Sequence, residues 1–129
     1  MNLEEKMGLE LDGKNEKFFE IDDYKVAIKR IPDMGHLCGY VALKDKVYKK
    51  KGSWQNVIEC HGGITFKGSI YGLPGYCIGF DCAHAFDLVP GLKEFDVIES
   101  DYMPSPVYRD EEYVTNELKS IVEQLKELE

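Results

Sequence analysis

Between Phe18 and Ile31 the chain reads FFEIDDYKVAIKRI, with Tyr24, Val26 and Ile28 falling on one side and Lys25 and Lys29 on the other. That period of two predicts a half-buried strand. Pro32-Asp33-Met34-Gly35 carries the punctuation of a turn, and Leu37-Cys38-Gly39-Tyr40-Val41-Ala42-Leu43, apolar almost throughout, predicts a more fully buried strand. A third strand is expected to begin at Val57-Ile58-Glu59-Cys60, break at Gly62-Gly63 and resume through Ile64-Thr65-Phe66, because paired glycines inside a strand pattern mark a bulge or a close backbone approach. Leu73-Pro74-Gly75 turns the chain into a further strand, Tyr76-Cys77-Ile78-Gly79-Phe80. Asp81 suits the cap of a short helix from Cys82 to Leu88, with Pro90-Gly91 to stop it.

The period then changes. Val114, Leu118, Ile121, Val122, Leu125 and Leu128 recur at spacings of three and four, behind Asp110 as cap and Glu111 and Glu112 in the first turn, where the positive end of the helix dipole favours them. This amphipathic helix packs its stripe either on the sheet or on its twin in a homodimer. Residues 1–17 are polar and hold the turn pair Asp12-Gly13, which fits a flexible arm or a short hairpin. The sum is an α+β fold: a small, mostly antiparallel sheet with a short helix after Phe80 and a longer carboxyl-terminal one. At 129 residues, with no repeat and no linker, residues 1–129 form one domain.

Composition narrows the function classes. Twenty-four acidic residues against 16 basic give a formal charge of −8, which disfavours nucleic-acid polymers and anionic membranes as partners. The local exception, Lys44 to Lys51, is either a solvated loop or an attractor of a phosphorylated ligand. No run of 18 apolar residues occurs and Met1-Asn2-Leu3-Glu4-Glu5 lacks a secretory pattern, so a cytoplasmic location is expected. In that setting the four cysteines (Cys38, Cys60, Cys77, Cys82) read as reduced thiols, buried thiols or metal ligands before disulfides.

The polar chemistry collects in the middle of the chain. Each of the three histidines lies within two positions of a cysteine (His36 with Cys38, Cys60 with His61, Cys82 with His84), so a zinc site assembled from these pairs, with Cys60, His61, Cys82 and His84 as its candidates, is conceivable, although no C-x-x-C or H-x-x-x-H spacing supports it and no cofactor is otherwise implied. A second reading gives catalysis to His61, His84 and Asp87. On a helix from Cys82, His84 and Asp87 share a face, and the carboxylate would orient the imidazole as a general base. Asp81 as a cap and His84 bonded to a carbonyl explain the same residues without catalysis. Cys60 or Cys82 activated by a neighbouring histidine is a third chemistry, against which stand buried, inert thiols.

Ligand binding without turnover is the remaining constellation. Trp54, Phe66, Tyr71, Phe80 and Phe86 flank the glycine-rich segments, Gly62-Gly63 would offer backbone N–H groups to a phosphate, and Arg109 would add a fork. Aromatics at strand spacing are equally core residues. Together these place a small nucleotide-like ligand in a pocket of His61, Gly62, Gly63, Thr65, Phe80, Asp81, His84 and Arg109.

The succession CGYVAL, HGGITF, GFDCAHAFDLVP and YRDEEYVTNELKSIVEQL, over roughly residues 36 to 126, resembles a family of small proteins found mainly in bacteriophages, prophages and some bacteria. HGG and GFDCAH are its most specific strings. The resemblance carries no catalytic assignment. By analogy of setting it implies a host-takeover factor, for example one that sequesters or degrades nucleotide signals of bacterial immunity. The expected function is thus sequestration of a small nucleotide-derived ligand. The alternatives are a small hydrolase or phosphodiesterase using His61, His84 and Asp87, and an acidic protein-interaction module.

Overall fold

The computed structural model describes residues 1–50, 54, 56–95 and 105–129. Among the described residues five strands, β1 (Glu16–Ile21), β2 (Tyr24–Arg30), β3 (Leu37–Ala42), β4 (Phe66–Gly68) and β5 (Cys77–Asp81), form one antiparallel sheet in the order β1-β2-β3-β5-β4. Among the described residues the helices are α1 (Leu3–Leu9), the single turn α2 (Asp45–Tyr48) and the long α3 (Glu111–Glu127). The architecture is α+β, as the sequence predicts. Among the described residues no helix is long and apolar enough to cross a membrane.

Alternation decides which face of the sheet meets α3. Val26 and Ile28 of β2, Leu37 and Val41 of β3, and Ile78 and Phe80 of β5 join one buried cluster with Val114, Leu118, Ile121, Val122 and Leu125 of α3. Gly39 leaves room there, since a Cβ on it would lie 2.7 Å from Phe80 Cε1 and 3.1 Å from Leu118 Cδ2. The helical stripe is therefore consumed inside the chain, and of the two packings open to it the one on the sheet is realised. A homodimer through this stripe would have to unpack the core. Asp110 caps α3 as expected, its side chain accepting from Tyr113 N at 2.8 Å.

Four local expectations are corrected. The segment 18–31 is a hairpin, because Asp22 and Asp23 both take left-handed backbone (φ 46 and 71) in a two-residue turn that short polar side chains tolerate. Residues 1–17 are neither a flexible arm nor a hairpin of their own: a helix and a turn lead into Glu16 and Lys17, which open β1. Asn2 caps α1 through Glu5 N, and the following turn sends Leu11 into the core. Buried Glu10 fastens it, accepting from Tyr108 Oη (2.6 Å), Arg30 (3.2 Å) and Glu111 N (2.6 Å).

Val57 to Cys60 is not a strand, and of the predicted third strand only Phe66 joins the sheet, as the first residue of β4. No helix spans Cys82–Leu88 either. Phe86 takes a left-handed φ of 71, and residues 86–88 instead bridge Val107, through Val107 N to Phe86 O (2.7 Å) and Leu88 N to Val107 O (2.8 Å). The basic run folds back on the chain, with Lys44 and Lys46 near Glu129 and Lys50 donating to Leu128 O. Its last residue, Lys51, lies outside the described residues.

Candidate functional site

The HGG segment lies along α3. Gln124 acts as a substitute strand neighbour, its Oε1 accepting from Glu59 N and its Nε2 donating to Glu59 O, both at 2.7 Å. Glu117 accepts from His61 N at 2.6 Å. Backbone groups that a ladder would have paired thus find side-chain partners. The signal for them is in the sequence: Tyr113, Glu117, Ser120 and Gln124 repeat at spacings of four, three and four, a polar stripe alongside the apolar one.

Asp87 joins this segment to the loop after β5. Its Oδ2 accepts from His61 Nε2 (2.7 Å) and from His84 N (3.0 Å), and its Oδ1 from Arg109 Nε (2.9 Å). Burial works to raise the Asp87 carboxyl, but these hydrogen bonds outweigh it and hold the group below its usual range. An ionised carboxylate only accepts, so Nε2 is the protonated nitrogen of His61, and in the neutral ring Nδ1 accepts from Tyr113 Oη at 2.8 Å. The Arg109 guanidinium stacks over the Tyr113 ring at 4.8 Å. The expected pairing is thereby exchanged: Asp87 orients the ring of His61 and takes only the backbone of His84, because no helix puts residues 84 and 87 on a common face.

His84 turns the other way. Its ring meets that of His61 edge-on (5.7 Å between centroids) and packs on Gly62, where a Cβ would lie 2.1 Å from Nε2. Nε2 is 3.3 Å from Asp81 Oδ1 but outside hydrogen-bond geometry. Asp81 itself is an acceptor in a tight loop turn, taking Ala83 N on Oδ1 and Thr65 Oγ1 on Oδ2, each at 3.0 Å.

Beside this loop, on the sheet face away from α3, opens a cleft of about 570 Å³. Alternation on β3 presents His36, Cys38 and Tyr40 to it, while Thr65, Phe66, Asp81 and His84 supply the opposite side. Tyr40 sits over Gly79 and meets Phe66 edge-to-face, 5.5 Å apart and 88° between planes. His36 is buried, its Nδ1 without a hydrogen-bond partner among the described residues. Burial lowers its pKa against the pull of Asp81 and Asp87.

The expected site residues therefore divide. Thr65, Asp81 and His84 line the cleft together. Phe80 borders it, but its ring is in the core over Gly39. His61 and Arg109 stand behind in the Asp87 network, outside the lining. Gly63 N closes a turn onto Cys60 O (2.9 Å), so this amide is not presented to a phosphate. Of the aromatics, Trp54 is core, stacked with Tyr48, and Tyr71 and Phe86 are exposed. Tyr40 was not among the expected site residues, and His36 and Cys38 stood out in the sequence only as a cysteine–histidine pair, although the alternation of all three was legible.

The thiols are ill suited to nucleophilic attack. Burial pushes Cys38 and Cys60 up to about 11 and raises Cys77 and Cys82 as well. Among the described residues no three His, Cys, Asp or Glu side chains are grouped as a metal ion would require, so Cys60, His61, Cys82 and His84 are not brought together as ligands. All four cysteines are free. Compared with protein-family models, curated proteins and solved structures, the chain finds a match in none of the three.

Proposed function

We propose that this protein binds a small nucleotide-derived ligand, seating its base in the cleft between β3 and the loop after β5. The observation that carries the reading is the cleft itself: aromatic Tyr40 and Phe66 stand beside the polar groups of Thr65, Asp81 and His84. Its volume of about 570 Å³ suits a molecule of nucleoside size, within the roughly 300–1,000 Å³ of small-ligand pockets. Among the described residues no Lys or Arg lines it, and the Asp81 carboxylate would repel a phosphate, so any phosphate points outward to solvent. In the phage setting that the sequence resembles, such binding would serve to sequester a signal molecule.

Binding without turnover accords with the chemistry of the groups at hand. Both ring nitrogens of His61 are engaged and the thiols are held protonated. A second reading, hydrolysis, draws on the 3.3 Å approach of His84 Nε2 to Asp81. One experiment separates them: nucleosides and mono-, di- and cyclic nucleotides are titrated onto the protein, and the bound material is recovered by denaturation. Intact ligand, with binding weakened at least tenfold in His84→Ala, supports sequestration. Recovery of product, abolished in His84→Ala, supports the hydrolase. Unchanged affinity in a folded His84→Ala, Asp81→Asn double variant would remove the cleft from consideration.

A further inference from the structure

Asp81 defines what the cleft can recognise. Each carboxylate oxygen already has one firm protein donor, Ala83 N on Oδ1 and Thr65 Oγ1 on Oδ2. A carboxylate offers about four acceptor sites, so each oxygen keeps one more. The side chain is 31% exposed, and its only ion-pair neighbour among the described residues is His84. Beside it stand Tyr40 and Phe66, an apolar border suited to a flat molecule.

We infer that the cleft selects a planar ligand with two parallel N–H donors, an amidine or guanidine edge, which pairs bidentately with Asp81. Two parallel donors match two acceptors held on one carboxylate, and such charge-assisted forks are stronger and more directional than single neutral bonds. The loop holds the fork in place, since Thr65 and Ala83 fix the carboxylate plane before any ligand arrives. Two sources carry this edge: the N1–H and 2-amino groups of a guanine base, and the guanidinium of an arginine-like amine. The net charge of −8 favours either over a polyanion.

This inference rests on the cleft being a small-ligand site, and its test keeps the two apart. The full-length protein is titrated with guanosine, inosine, adenosine and agmatine. Inosine keeps N1–H but lacks the 2-amino group. Guanosine is expected to bind about tenfold or more tightly than inosine, with the difference lost in Asp81→Asn, on the scale of discrimination that bidentate base contacts supply. Agmatine binding that disappears in Asp81→Asn would instead identify the guanidinium source. Nucleosides bound with equal affinity, together with no binding of agmatine, would overturn the inference and leave the cleft a ligand site of other selectivity. Failure of all four compounds to bind would overturn the inference and count against the proposed function as well. The guanosine–inosine comparison uses the unmodified chain, so it stands even if Asp81→Asn does not fold.

Discussion

Gly62 and Gly63 are adjacent and share left-handed backbone (φ 68 and 81), yet they answer to different constraints. A Cβ on Gly63 would meet nothing within 4 Å, whereas one on Gly62 would enter the His84 ring. Gly63→Ala should cost about 1 kcal/mol, the backbone penalty alone. Gly62→Ala should cost on the order of 3 kcal/mol, adding a steric term of the size seen on overpacking. Chemical denaturation checks both, and His84→Ala should recover part of the loss at Gly62 and none at Gly63. Asp87 is a second residue with a defined energetic signature. Asp87→Asn should destabilise by on the order of 3 kcal/mol near neutral pH, because Arg109 loses a buried carboxylate partner. The folded-state pKa of Asp87 is depressed, so its contribution is present above the ordinary carboxylate value of 3.8 and lost as pH falls through the lower folded value. The stability gap between wild type and Asp87→Asn should therefore be flat above about pH 5 and close below pH 4; a gap constant down to pH 2 would contradict the ionised pair.

At the scale of elements, α3 works through two stripes. The apolar one closes the core, and Leu118 beneath Gly39 and Phe80 is fully buried. Leu118→Ala should cost about 3 kcal/mol in denaturant unfolding, whereas Lys119→Ala, on the exposed side, should change stability by less than about 0.5 kcal/mol. The polar stripe of Tyr113, Glu117 and Gln124 aligns the HGG segment. This dual use explains why β3, β5 and α3 were legible in the sequence while the stretch before Gly62 was not. Strong periodicity over a continuous run reports a buried face directly. Val57 to Cys60 has β-branched and apolar residues, but the Glu59 backbone is paired by the side chain of Gln124, 65 residues further on in α3, which no local pattern announces. The hairpin at Asp22-Asp23 was missed for a related reason, since aspartates at a type I′ position look like ordinary polar positions in a strand.

For the molecule as a whole, the reactive groups are masked by packing. With Cys38 and Cys60 raised to about 11 and Cys77 and Cys82 raised as well, the native protein should react slowly with a thiol-specific disulfide reagent at pH 7.5, and all four thiols should titrate promptly in guanidinium chloride. Fast modification of even one thiol in the native state would contradict this. Folded thiols of raised pKa stabilise the chain fully below their unfolded value of about 9 and lose that contribution as pH rises towards 11. Native stability should accordingly fall across that alkaline window.

The sequence by itself determined the α+β class, the strands β3 and β5, the capped amphipathic helix, and the concentration of polar chemistry in HGG and GFDCAH. Each is written in local periodicity or in residue type. Only the tertiary structure decided that Asp87 serves His61, that Arg109 is held behind the site, and that Thr65, Asp81 and His84 share a cleft with His36, Cys38 and Tyr40. Those pairings depend on how β3, the loop after β5 and α3 approach one another. A carboxylate binds whichever donor the fold delivers within about 3 Å, and sequence spacing carries no record of that delivery once the chain between is irregular.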